Sequence, residues 1–132
     1  MPHASHSHKV KGRIHVKKDG HLVYDAEHAD GYLHLAKGLM FRDVKPLLLD
    51  FPWSGNWGVW MLFMRGNIDL VFVGKDMRVD SVYKSIEPIT FSKSSWRVYY
   101  PNSPVKYALE VPPGTRIKKG DFLEFQVPVH SH

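Results

Sequence analysis

The chain has 132 residues, no cysteine and a formal net charge of +5, from 18 Lys and Arg against 13 Asp and Glu. The absence of cysteine excludes disulfides, thiolate metal sites and thiol nucleophiles. The longest apolar run, residues 59–64, is too short to cross a bilayer, and the polar N-terminus lacks a signal-peptide core. We therefore predict a soluble, cytoplasmic protein of one domain, without membrane association.

Both ends carry histidines and predict flexible tails, at residues 1–9 and 129–132, around a single β-domain at residues 10–128. Histidines inside this domain show no HxH or HExxH spacing, and there is no Walker loop or GxGxxG motif. We therefore expect no metal site and no cofactor.

The domain begins with a predicted β-hairpin. Residues 14–16 and 22–24 alternate apolar and polar side chains around Asp19-Gly20, a pair that favours a two-residue turn because both positions need positive φ. Residues 30–37 are the one helix candidate, with Asp30 as its N-cap. Asp43 and Asp50 then look like turn residues.

The rest of the chain is rich in predicted strands, bounded by turn residues. These strands are residues 59–64, 68–73, 78–86, 96–100, 105–111 and 122–127. The first two are apolar at both parities, so both faces should be covered. Short strands at regular spacing, with one short helix, predict a mostly-β fold: a single antiparallel β-sandwich or barrel.

Three segments, in this order, suggest a family. Residues 38–42 read GLMFR; Trp60-Met61 is followed by DLVF at 69–72; and YALEV at 107–111 is followed by Gly120-Asp121. Over roughly residues 14–125 the chain resembles the prokaryotic domain of unknown function family 192 (DUF192). The resemblance implies a compact, mostly-β domain similar to a jelly-roll sandwich, and it implies no particular activity.

The chain also departs from this family. Leu62-Phe63-Met64 stands where the family has Lys-Asn-Thr, and Asn67 stands where it has proline. If those polar residues serve a shared chemistry, this chain lacks it. We therefore favour a non-catalytic role and assign no catalytic residue.

Two charged residues in the family segments, Arg42 and Asp69, are candidate site residues because each adjoins apolar sequence. They could form an anion anchor and a general base of an enzyme. Alternatively they are an ion pair, or groups bonded to backbone, that fix loop geometry, since a buried charge is rarely left without a partner. We expect the Asp69 carboxylate to bind Arg42 or backbone N–H groups.

Aromatic residues offer a second candidate site. Trp53 and Trp57 lie among Pro, Ser, Gly and Asn and are predicted on a loop, whereas Trp60 begins an apolar strand and should be core. The loop indoles could form a stacking surface that bounds the main concavity, or they could be a structural plug. We expect both to be more exposed than Trp60.

A further aromatic and basic stretch spans residues 96–100. Alternation would place Trp96, Val98 and Tyr100 in the core and leave Arg97 and Tyr99 as an exposed pair, suited to a phosphate and a ring. Basic residues elsewhere are scattered, with short clusters at residues 9–18 and 116–119, and are typical of a solvated surface.

Taken together, these residues favour a ligand-binding module for a small polar molecule or sugar, using the aromatic loop. The first alternative is a single-stranded nucleic-acid-binding protein using Arg97 and Tyr99. The second is an enzyme using Arg42 and Asp69. The sequence leaves the ligand and the oligomeric state open.

Overall fold

The structure, a computed structural model, describes residues 10–30, 45–60, 66–87 and 98–128, without the side chains of Val10, Lys11, Asp30 and Trp60. Outside these residues lie the two predicted tails, the predicted helix beyond Asp30, and the candidate residues Arg42 and Arg97. No helix of the described segments is long and apolar enough to span a membrane.

The described residues form nine β-strands, numbered here in chain order. They are β1 Val10–Lys18, β2 His21–Asp30, β3 Leu47–Gly55, β4 Val59–Trp60, β5 Ile68–Val73, β6 Val79–Ile86, β7 Val98–Tyr99, β8 Val105–Val111 and β9 Glu124–Gln126. The predicted mostly-β fold is confirmed. Within the described residues there is no helix, and Asp30, predicted as a helix N-cap, ends strand β2.

The predicted hairpin joins β1 to β2. Asp19 and Gly20 both have positive φ, 55° and 79°, and Lys18 pairs with His21 across the turn. Two consecutive left-handed residues match the right-handed twist of the flanking strands, which is why Asp-Gly is favoured there. The hairpin prediction is confirmed.

Seven of the described strands form one sheet, in the order β9-β1-β2-β3-β8-β5-β6, and β4 pairs with β7 in a small second sheet. Neighbouring strands are antiparallel except β2 and β3, which are parallel, with Glu27 opposite Leu47. The predicted antiparallel arrangement is therefore correct with one exception. A parallel pair needs a long connection, and here it spans residues 31–46.

The two outer strands of the large sheet, β9 and β6, approach each other where β6 begins and just before β9 begins. Arg78 bridges Phe122, and Val79 exchanges backbone hydrogen bonds with residues 120–121: its N–H donates to Asp121 O at 2.8 Å and its carbonyl accepts from Gly120 N at 2.9 Å. Leu123 N–H donates to Met77 O at 2.9 Å. We call these contacts, between residues 77–79 and 120–123, the seam; they show that the sheet curls until parts of its two edges meet.

The curled sheet has an apolar core on each face. Leu48 lies in the inner core with residues from both ends of the sheet, such as Val16 and Val79, whereas Phe51 lies in the outer core. This division follows from the two-residue repeat of a strand. The outer core also includes Val59 of the small sheet, so that sheet covers this face. Strand β5 is buried along its whole length because its two faces serve the two cores.

One strand was not predicted. Residues 47–55 form β3, and Asp50, predicted as a turn residue, lies within it opposite Tyr107. This segment was read as a turn because it contains residue types that are common in turns, namely Asp50, Pro52 and Gly55. The ladder with β8 is irregular between Asp50 and Gly55, and this irregularity accommodates Pro52, which cannot donate a backbone hydrogen bond.

Candidate functional site

Three aromatic rings at the end of β3 connect the outer core to solvent. Phe51 is fully buried, and the Trp57 ring stacks on it at 5.0 Å between centroids and 5° between planes. The Trp53 ring lies 5.1 Å from Trp57 at 49°, and the Trp57 indole N–H donates to the Trp53 carbonyl at 2.8 Å. We call Phe51, Trp57 and Trp53 the aromatic ladder. Its outer member, Trp53, is 60% exposed.

The ladder departs from the predicted loop in one respect. Trp53 lies in strand β3, so its assignment to a loop was wrong, while Trp57 lies in the connection that follows the strand. Trp57 is only partly exposed because it is held between two other rings. The Trp60 side chain lies outside the described part of the molecule, so its expected burial stays a prediction.

Glycines allow the rings to approach the backbone. A Cβ atom on Gly58 would lie 2.5 Å from Val98 Cγ1 and 2.7 Å from Tyr100 Cε1. Any other residue at this position would therefore require the side chains of Val98 and Tyr100 to shift. Val98 and Tyr100 are 41% and 50% exposed, and with Trp53 and Trp57 they form what we call the aromatic surface.

Arg97 and Tyr99 were predicted to form an exposed pair, and this prediction is wrong for Tyr99. Tyr99 is partly buried against the outer core, 5.2 Å from the Tyr83 ring at 63°, whereas Val98 and Tyr100 face outward. The alternating pattern placed Val98 and Tyr100 in the core and Tyr99 at the surface, the reverse of the structure. It failed because apolar or aromatic residues occupy both the odd and the even positions of this stretch. The Tyr83 hydroxyl donates to Tyr100 O at 2.6 Å and helps to hold this orientation.

Asp69 is fully buried in β5 and its carboxylate accepts three backbone hydrogen bonds. Ser85 N–H donates to Oδ1 at 2.8 Å, while the N–H groups of Gly114 and Thr115 donate to Oδ2 at 2.9 and 2.8 Å. The expectation of backbone partners is confirmed. The carboxylate joins β6 to the turn after β8, and this structural role argues against a general base.

A polar cluster that the sequence did not reveal lies beneath the ladder. Asp50 is 3.1 Å from His28 Nε2, and Lys106 Nζ donates both to Asp50 and to the Phe51 carbonyl. Lys106 therefore anchors the backbone of the innermost ladder residue. These residues are 22 and 56 positions from Asp50, and no spacing in the sequence links them.

A cavity of about 610 Å³ lies near the end of β3, and its lining includes Ser54 but neither of the two indoles. Ser54 follows Trp53 directly, so the cavity and the aromatic surface flank the same stretch of strand. The expectation that Trp53 and Trp57 line the main concavity of the molecule stays a prediction.

Comparison with known proteins defines the class of this fold. The profile of DUF192, a family described as an uncharacterized ACR, matches residues 14–125. A UPF0127 protein of Pyrococcus furiosus is 31% identical over 119 residues, covering 85% of this chain and 96% of that protein. A UPF0127 protein of Pyrococcus abyssi is 30% identical over 106 residues, covering 75% and 84%. The chain belongs to the DUF192 family, as the sequence motifs predicted.

Two crystal structures share the fold. A proposed transcription regulator from Sinorhizobium meliloti 1021 superposes with a TM-score of 0.69 at 23% identity, covering 86% of this chain and 92% of that one. A protein of unknown function from Novosphingobium aromaticivorans gives a TM-score of 0.68 at 22% identity, covering 94% and 98%. At this identity the likeness concerns the fold alone.

Proposed function

We propose that this protein is a non-catalytic binding module for a small polar ring-bearing molecule such as a sugar, with Trp53 as the stacking platform. The observation that carries the proposal is the combination of exposure and order at Trp53. The indole is 60% exposed, yet it belongs to a ring ladder anchored in the core.

The energetics of an exposed indole support a ligand. Leaving a large apolar side chain in water forgoes roughly 1.5–3 kcal/mol of burial, and clusters of such residues mark binding surfaces. Trp57 fixes the Trp53 backbone through its N–H bond, and Lys106 fixes that of Phe51. A platform that is already ordered loses little entropy on binding.

Two other functions have less support. An enzyme using Asp69 would need an accessible carboxylate, and the Asp69 oxygens are engaged by three backbone donors in the core. Nucleic-acid binding through Tyr99 would need a free ring face, and that ring packs against Tyr83 and the outer core.

The test is a titration of the full chain with neutral mono- and oligosaccharides, followed by tryptophan fluorescence and by thermal shift. We expect a saturable change in fluorescence with at least one saccharide class. Trp53→Ala should weaken that binding at least tenfold, on the order of the energy of one stacked ring. Leu22→Ala is the matched control, because Leu22 is 54% exposed in the hairpin strand β2.

Two results would refute the proposal. One is a Trp53→Ala variant that binds the same saccharide as tightly as the unmodified chain. The other is a complete panel that changes neither the fluorescence nor the melting temperature, because a ligand that binds only the folded state must raise that temperature.

A further inference from the structure

The cavity of about 610 Å³ lies at the seam, where the turn between β5 and β6 meets the loop before β9. Its lining includes Gly74, Lys75 and Arg78 from the turn, and Lys119 and Gly120 from the loop. Residues distant in sequence therefore share one concave site. We call it the seam cavity.

The charges in the seam cavity are unequal. Three cationic residues line it, Lys75, Arg78 and Lys119, against two carboxylates, Asp76 and Asp80. Both carboxylates already serve the fold. Asp76 accepts from the Arg78 N–H at 3.1 Å.

Asp80 is more strongly engaged than Asp76. It accepts from the Asn102 N–H at 2.7 Å and from the Ser81 hydroxyl at 3.0 Å, and the Ser103 hydroxyl also donates to it. The bonds from Asn102 and Ser103 fix the loop between β7 and β8. Asp80 keeps its negative charge, so the three cations and two carboxylates that line the cavity leave it with a formal charge of +1.

The cavity cations themselves have no carboxylate partner among the residues that the structure describes. Elsewhere in those residues, basic side chains form ion pairs, such as Lys18 with Asp121 at 2.8 Å and Arg13 with Asp25 at 3.0 Å. The Arg78 guanidinium instead lies 4.6 Å from the centroid of the Phe122 ring. Stacking on a ring orders the guanidinium and leaves its N–H edge available to an anion.

Positive charge continues beyond this cavity. A neighbouring cavity of about 390 Å³ shares Lys119 and is also lined by Lys84 and Lys118. Lys84 donates to the Thr115 carbonyl at 2.7 Å, which is a neutral partner. The summed potential on this side of the seam therefore favours anions.

The backbone at the rim is strained. Met77 has φ of 71°, a conformation that costs a side-chain-bearing residue about 1–2 kcal/mol relative to the right-handed region. Its N–H donates to Gly74 O at 2.9 Å and closes the turn that carries Lys75. Strain of this kind is found more often at binding sites than elsewhere.

We propose that the seam cavity binds a small phosphate-bearing molecule, with Lys75, Arg78 and Lys119 as its anion contacts. Arginine and lysine are the side chains that hold phosphate oxygens by charge-assisted hydrogen bonds. The volume lies in the range of small-molecule sites, about 300–1,000 Å³. This site goes beyond the saccharide surface proposed above, and neither requires the other.

The experiment is an NMR titration of the isotope-labelled full chain with inorganic pyrophosphate, with orthophosphate as the weaker probe. We expect saturable shifts of the Gly74, Lys75 and Gly120 amides, and an affinity that falls as salt is raised. The double variant Lys75→Gln/Lys119→Gln should weaken pyrophosphate binding at least tenfold. The double variant Lys17→Gln/Lys45→Gln removes the same charge outside the cavity and should bind like the unmodified chain.

The other outcomes contradict the proposal. Linear shifts without saturation, or equal weakening in both double variants, would mean that pyrophosphate senses only the net charge. A third outcome is that a single-stranded oligonucleotide binds more tightly than pyrophosphate and that this binding depends on Lys17 and Lys45. The basic residues would then serve to bind nucleic acid, and the seam cavity would not be a phosphate site. Because these are exposed or half-exposed lysines, circular dichroism should show both variants folded.

Discussion

Replacing Asp69 by asparagine should destabilise the fold far more than it changes binding at either proposed site. Asparagine has nearly the same shape, so it tests the carboxylate itself. Its amide can present one oxygen to Gly114 and Thr115, but its NH₂ group then faces the Ser85 N–H, and two donors oppose each other. One charge-assisted bond is lost and two become neutral.

The size of the effect follows from these bonds. Each bond to a charged acceptor contributes roughly 1.5–3 kcal/mol, and a buried donor left without an acceptor adds a penalty of about 1–3 kcal/mol. We expect Asp69→Asn to reduce the free energy of unfolding by about 3–5 kcal/mol. For a domain of this size, that corresponds to a fall in melting temperature of about 10–20 °C.

The assay is thermal and urea unfolding, together with amide hydrogen exchange. Exchange of the Ser85, Gly114 and Thr115 amides should accelerate in Asp69→Asn by more than the change in global stability predicts. Asp19→Asn is the matched control and should alter stability by less than about 0.5 kcal/mol, because Asp19 is an exposed turn residue whose left-handed conformation asparagine also adopts. An Asp69→Asn variant with an unchanged melting temperature would refute the reasoning.

Three further predictions concern local features. The hydrogen bond with Lys18, and then the N–H of Lys118, lower the pKa of Asp121 below its usual 3.8, so the pair stabilises the fold above that pH and loses the effect as pH falls through the lowered pKa. The free energy of unfolding, measured in urea, should therefore differ between Asp121→Asn and the unmodified chain at pH 7, by up to about 1 kcal/mol, and the two should converge as pH falls through the lowered pKa. Met77→Gly should relieve the strain at φ 71° and increase the free energy of unfolding by up to about 1 kcal/mol, so the melting temperature should rise. Gly20→Ala should lower stability by about 1 kcal/mol or more, since φ at Gly20 is 79°. In each glycine case an effect of opposite sign, measured by urea unfolding, would contradict the prediction.

The sequence predicted correctly those turns and strands that depend mainly on residues adjacent in the chain. The Asp19-Gly20 turn needs two positive φ angles, and the run at 68–73 is apolar at both parities because its faces serve two cores. Strand β3 escaped prediction because Pro52 and Gly55 imitate a turn. Its parallel pairing with β2 depends on the path of residues 31–46 and leaves no local pattern.

At the candidate sites, too, features set by adjacent residues differ from features set by the packing of distant strands. Trp53 is exposed, but it lies in strand β3 and not on the predicted loop, and its exposure relative to Trp60 stays a prediction. The contact between Asp50, His28 and Lys106 forms only because β2 and β8 flank β3 in the sheet. Tyr99 was assigned to the wrong face because its stretch is aromatic at both parities, and only the packing of Tyr83 decides between the faces.

The seam also bears on solubility. An open sheet presents rows of unpaired N–H and C=O groups at its two edges, and such edges act as templates for strand addition by a second molecule. Here three backbone hydrogen bonds, centred on Val79 and Gly120, close part of these two edges at the seam. Gly120 has φ of 91°, so Gly120→Val should loosen this closure. We expect that variant to form intermolecular sheet and scatter light while most of its secondary structure remains, so aggregation would precede unfolding.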